Sequence, residues 1–211
     1  MSWDGILFYC CRAARFAATV TAVWAAWRVW QVRAKRRTPS GKRFALQALF
    51  VFYLAAVVEI IALRGGRPAM RSPVQLIPLG TMGPLAAEFV SVCLRRYQTN
   101  FLTLSGVLEA AWPLVYNVVG NLVWFVPLGL LGPMMTPRLR GAKQALLAAA
   151  QLSALLELTQ MLLGTGAADV DDILLNALGG LLGWALWAGW HKLTRRRTFH
   201  TFNKQKPKAG C

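Results

Sequence analysis

Acidic residues are scarce in this chain. Eight Asp and Glu stand against 24 Lys and Arg in 211 residues, and charge of both signs reaches only 15% of the sequence. Soluble chains carry about 25%, so this composition cannot clothe a water-soluble globule. With 56% apolar residues and mean hydropathy +0.42, it excludes an ordinary soluble enzyme and a disordered chain alike. Cysteine is sparse as well. Cys10 and Cys11 are adjacent, Cys93 stands alone and Cys211 ends the sequence. No CxxC or Cys/His spacing offers a zinc site, no pairing pattern suggests a disulfide scaffold, and a final Cys is not a prenylation signal. The first ten residues lack a basic stretch, so a cleaved signal peptide is not expected. The basic excess does not point to nucleic acid, because the cations sit between apolar runs rather than on an amphipathic domain. What remains is a membrane protein.

Crossing a hydrocarbon core of about 30 Å takes roughly 20 apolar residues in a helix. Four segments have that length: Phe44–Leu63, broken only by Glu59; Val115–Met135, without charge; Ala145–Leu163, with Glu157 as its one charge; and Ile173–Trp190, without charge. A fifth, Ile6–Val32, carries Arg12, Arg15 and Arg28 around its uncharged centre. It either spans with snorkelling arginines or lies in the interface. Trp24, Trp27 and Trp30, placed as an interfacial anchor, favour spanning. Between the first of the four and the next, Pro68, Pro73, Pro78 and Pro84 punctuate a long segment in which Leu85–Tyr97 and Phe101–Trp112 have helical spacing. Two short interfacial helices are expected there, and irregular backbone around Val74–Gly80 is expected to need protein packing or a wet cavity. The chain therefore reads as an all-α polytopic membrane bundle of about five transmembrane helices with a long extracytoplasmic segment. Residues 1–190 form one domain, and 191–211 a basic tail.

Charge orients it. Arg33–Arg43 holds six Lys and Arg, Thr136–Lys143 three and His191–Cys211 seven. These stretches alternate so as to fall on one side, which the positive-inside rule makes cytoplasmic, the C-terminus included. The tail, with Arg195, Arg196, Arg197, Phe199 and Phe202, reads as a clamp on anionic lipid headgroups.

Most of the strongly polar intramembrane groups then fall at outward ends. Glu157 and Gln160 are three apart, Asn117 and Asn121 four, and Asp172 and Asn176 four, so each pair shares a helix face. Asp169, Asp171 and Asp172 open the last helix on that side, and Arg64, Arg67 and Arg71 follow the helix bearing Glu59. Gln47, Gln144, Gln151 and Ser153 lie deeper or inward. Charge at mid-membrane costs about 2.5–3.5 kcal/mol on insertion scales, so such groups face a bundle interior or a wet cavity. An outward polar pocket rimmed by arginine is expected, able to take cations, ammonium or amide groups, or a phosphorylated headgroup through the arginines. Plainer roles stand beside this one. Asp171 or Asp172 suits a helix N-cap or first turn. The three asparagines suit interhelical glue, and Gly179, Gly180 and Gly183 suit close helix packing. Glu59 suits a pair with Arg64.

The strings VQLIPLG, YNVVGNLVWFVPLGLLGP and LLELTQMLLGTGAADVDDILLNALGGLLG, spread over residues 64–183, resemble the successive signatures of the VanZ-like family. These are small multi-helix membrane proteins named for a glycopeptide-resistance accessory associated with teicoplanin. Carried over, the resemblance marks Glu157, Gln160, Asp169, Asp172, Asn176, Asn117, Asn121, Pro127 and Pro78. The sequence departs from the pattern at Thr165–Ala168, where family members commonly have a basic residue, and at Gln75 and Leu79. The resemblance implies a cell-membrane protein that lowers susceptibility to teicoplanin-type lipoglycopeptides. Its ligand would be the antibiotic or a cell-wall lipid precursor, with no cofactor and no nucleic acid. Two other classes stay open: a metal-dependent lipid-phosphate enzyme using Glu157, Asp169, Asp172 and Asn176, and a small transporter or scaffold.

Overall fold

Six helices follow one another in the computed structural model: α1 (Trp3–Ala34), α2 (Gly41–Ile61), α3 (Met82–Gln98), α4 (Leu104–Met135), α5 (Ala142–Leu163) and α6 (Val170–Lys204), with a 3₁₀ turn at Pro137–Leu139. The structure describes residues 3–34, 40–63, 74–99, 101, 103–166 and 168–204, with backbone alone for 3–7, 9 and 195–204. Among these no strand forms, and Gln75 and Asp169 share an isolated parallel bridge. Four helices are long and apolar enough to cross a membrane: α2, α4, α5 and Val170–Thr194 of α6. They are the four segments the apolar runs predict.

Packing explains their arrangement. The most extensive contact is between α4 and α6. There Gly179 and Gly183 of α6 lie against the carbonyls of Leu122 and Val126, where any Cβ would collide. Small residues let two backbones approach where the solvent is lipid and hydrophobic burial gives no drive. The close packing expected of these glycines is therefore realised. A small core of Val57, Ala62, Phe125, Leu128, Ala149 and Leu156 joins α2, α4 and α5, and the Tyr53 hydroxyl donates to the Trp124 carbonyl at 2.8 Å. Much of the outer surface of the spans is apolar and exposed, including Leu155, Leu162, Leu178 and Leu186. In water such a surface would signal aggregation, and against acyl chains it is the solvated face.

The first helix falls short of the apolar composition of a span but packs along α2. Trp24 stacks on Phe44 at 5.6 Å between centroids, and Arg12 pairs with Glu59 at 2.6 Å. The two contacts lie at opposite ends of the pair, so α1 and α2 run antiparallel and occupy the same depth. Glu59 is thus engaged by Arg12; Arg64, the partner expected from sequence, lies outside the described residues. The antiparallel pairing brings a cation distant in sequence to the buried carboxylate.

The segment before α4 departs from expectation in one respect. Leu85–Tyr97 is helical within α3, as predicted, but Phe101–Trp112 is not a separate helix. Thr103 caps α4 by accepting from Gly106 N at 3.2 Å, and the helix runs on through Pro113, Pro127 and Pro133. A proline removes one backbone hydrogen bond, and apolar flanks with neighbouring helices keep the helix continuous, as in other membrane helices. Its 32 residues span about 48 Å, so one end reaches beyond a hydrocarbon core. α3 packs on that end, with Arg96 and Glu109 3.7 Å apart. Likewise α6 continues without a break into the basic segment as far as Lys204.

Candidate functional site

The N-terminus of α6 organises the polar end of the bundle. Asp169 precedes the helix, and its Oδ1 accepts from Asp171 N at 2.8 Å, the geometry of an N-cap. The cap is therefore Asp169, and Asp171 and Asp172 stand in the first turn, the other place the sequence offered them. Capping asks for extended backbone just before the helix, and the parallel bridge holds Asp169 in that state: Gln75 N donates to Ala168 O at 2.8 Å and Val170 N to Gln75 O at 3.1 Å. The other Asp169 oxygen accepts from the Thr81 hydroxyl.

Asp171 has a different task. It is 2% exposed and accepts from Leu79 N at 2.6 Å, Thr81 N at 2.9 Å and Met82 N at 3.0 Å. These are the orphan donors at the start of α3 and in the turn before it, where Leu79 adopts φ 64°. One carboxylate thereby ties the 74–82 segment to α6. The irregular backbone around Val74–Gly80 is packed against protein, as its polarity requires.

Behind this clasp lies an open cavity of about 380 Å³ lined by Asn117, Asn121, Glu157, Gln160, Asp172 and Asn176, with Tyr116, Gly120 and Trp124 of α4 and Ile60 and Ile61 of α2. Six of the site residues expected from sequence therefore converge on one space, drawn from α4, α5 and α6. The seventh, Asp169, stands beside it, and its backbone N donates to Glu157 Oε2 at 3.2 Å. Arg64, Arg67 and Arg71 lie outside the described residues.

Within the cavity wall three amides donate to protein. Asn121 Nδ2 donates to Asp172 Oδ1 at 2.5 Å and to Asn117 Oδ1 at 3.2 Å. Gln160 Nε2 donates to the Ile61 carbonyl at 2.7 Å, and Asn176 Nδ2 to Ser153 Oγ at 2.8 Å. Asn176 Oδ1 is buried with no hydrogen-bond partner among the described residues. The asparagines do join helices, as the plainer reading holds, and two of those bonds also orient a cavity carboxylate and a cavity carbonyl.

Sequence reasoning missed Asp171 as a clasp, Ser153 as the support of Asn176, and Tyr116 and Trp124 as wall. Ser153 stands one turn from Glu157 on the same face of α5, and Tyr116, Gly120 and Trp124 recur every fourth residue on α4. That i, i+4 signal was available. The partners of Asp171 lie about 90 residues away in the chain, beyond any local pattern.

The cavity opens at the C-terminal ends of α2 and α5 and the start of α6. Lys42, Arg43, Arg138, Arg140, Lys143 and Lys192 stand at the other ends of these helices. Among the described residues no three His, Cys, Asp or Glu side chains are arranged to hold a metal ion.

A model of the VanZ/LLP1 family matches residues 50–192, a range that takes in α4, α5, most of α2 and the membrane-crossing part of α6. No curated protein and no solved structure matches the chain.

Proposed function

The chain belongs to the VanZ/LLP1 family, and from that premise we propose that it is a cell-membrane protein lowering susceptibility to teicoplanin-type lipoglycopeptides. It acts through the polar cavity, which faces outward and engages the antibiotic or the headgroup of a cell-wall lipid precursor. The cavity itself carries this reading: six hydrophilic side chains from three helices meet in about 380 Å³ at the end of the bundle opposite the basic segments. Polar groups held in a membrane at such cost mark function by default, and the positive-inside rule turns that end outward. Arg64, Arg67 and Arg71, next in sequence to α2, supply cations for phosphate, and the basic C-terminal segment holds anionic lipid on the cytoplasmic side.

Expression in a susceptible host tests the reading. The parent protein raises the inhibitory concentration of teicoplanin more than that of vancomycin. Gly120→Leu abolishes this effect while the protein still inserts in the membrane, because Gly120 lines the cavity and a Cβ there meets nothing within 4 Å. Unchanged susceptibility to both drugs, with membrane insertion verified, contradicts the proposal.

A further inference from the structure

The charge of the cavity is one-sided. Both hydrogens of the Asn121 amide are used, on Asp172 and Asn117, and Gln160 and Asn176 each direct their amide nitrogen to protein. Glu157 and Asp172 bring two carboxylates, and no Lys, Arg or His is among the described residues lining the cavity. An acidic pair could be structural alone, but a second observation points to a ligand. Asn176, 2% exposed, is one of the residues lining the cavity, and its Oδ1 is buried with no hydrogen-bond partner among the described residues. A buried acceptor left unpaired costs about 1–3 kcal/mol, and a donor entering the cavity removes that cost. Tyr116 and Trp124 add aromatic rings to the same wall, a surface that attracts cations.

We infer that the cavity recognises a primary ammonium group, with Glu157 and Asp172 as counter-charges and Asn176 Oδ1 as a hydrogen-bond acceptor. An anionic phosphate is disfavoured by the two carboxylates. A quaternary ammonium carries the charge but no N–H to satisfy Asn176. A neutral hydroxyl offers a donor but leaves the acidic pair uncompensated. This deepens the proposal that the cavity is the functional site by naming the chemical group it selects, whether on a lipid headgroup or on a soluble amine.

The test compares pairs of probes that differ only at nitrogen. Full-length protein in detergent is incubated with equimolar palmitoyl-oleoyl phosphatidylethanolamine and phosphatidylcholine, and retained lipid is counted by native mass spectrometry. The two lipids have the same net charge, so the basic end of the molecule does not discriminate between them. In a second arm, thermal unfolding is followed with glucosamine and with N-acetylglucosamine. A lipid source predicts an ethanolamine preference of about tenfold or more, the scale of charge-assisted hydrogen bonds, and its loss in Gly120→Leu. A soluble source predicts stabilisation by glucosamine and none by its N-acetyl form, with the lipids retained equally. Equal retention of both lipids together with equal effects of both sugars overturns the inference, a result read on the parent protein alone. An ammonium preference without altered drug susceptibility sinks the antibiotic reading and leaves this one standing; altered susceptibility without that preference does the reverse.

Discussion

At the scale of single residues, two buried carboxylates carry structure rather than ligand chemistry. Asp171 satisfies three backbone donors of the 79–82 turn, and nothing else in reach replaces it. Asp171→Ala is expected to destabilise the protein by about 3 kcal/mol or more, from three lost charge-assisted bonds and their stranded donors, read as earlier thermal unfolding in detergent. Asp171→Asn recovers only part of that loss, because its amide nitrogen meets an N–H on one side. Glu59 gives a complementary case. Arg12→Ala strands a 7%-exposed acid and is expected to cost about 1–3 kcal/mol. Arg12→Met combined with Glu59→Leu recovers most of it, since an apolar pair of similar volume suits this depth. If the double variant is less stable than Arg12→Ala, the pair does more than neutralise itself. That Glu157, Asp172 and Asn176 gather at one end of the bundle was legible in the sequence from helical spacing and span boundaries. The division of labour among the acids was not. Asp169, Asp171 and Asp172 are nearly consecutive, and only the third dimension assigns one to the cap, one to the clasp and one to the cavity.

At the scale of elements, α4 and α6 form the frame on which the cavity hangs. Gly183→Leu drives a side chain into the Val126 carbonyl and is expected to separate the helices, lowering the unfolding temperature and weakening a disulfide cross-link engineered between them. Gly189→Leu, on the same helix with nothing within 4 Å of its Cβ, leaves both measurements unchanged. Equal damage from both substitutions would show that propensity, not close approach, explains the glycines. The apolar runs located α2, α5 and the membrane-crossing part of α6 to within a few residues, because lipid demands long uninterrupted apolar stretches. The start of α4 was harder to see. Pro113 reads as a boundary in a soluble protein, whereas here the helix passes through it and joins a region expected to be separate. α1 was ambiguous for a related reason: its arginines weaken a hydropathy signal, and only its pairing along α2, with Arg12 on Glu59, shows what they are for.

At the scale of the whole molecule, charge and polarity are segregated. All eight acidic residues lie outside 110–156 and 173–211; the basic segments thus share their end of the bundle with no acid from α4, α5 or α6. Glu157 and Asp172 of those helices line the cavity instead. This polarity underlies both the antibiotic reading and the ammonium reading, since an outer-leaflet ligand can enter only a cavity that opens outward. Thr99, exposed at the end of α3, lies at the cavity end, and Ser40, exposed before α2, at the basic end. In a background with the native cysteines replaced, a membrane-impermeant maleimide applied to intact cells is predicted to label Thr99→Cys and to reach Ser40→Cys only after permeabilisation. Labelling of Ser40→Cys in intact cells, with Thr99→Cys protected, would place the cavity on the cytoplasmic side and contradict the account.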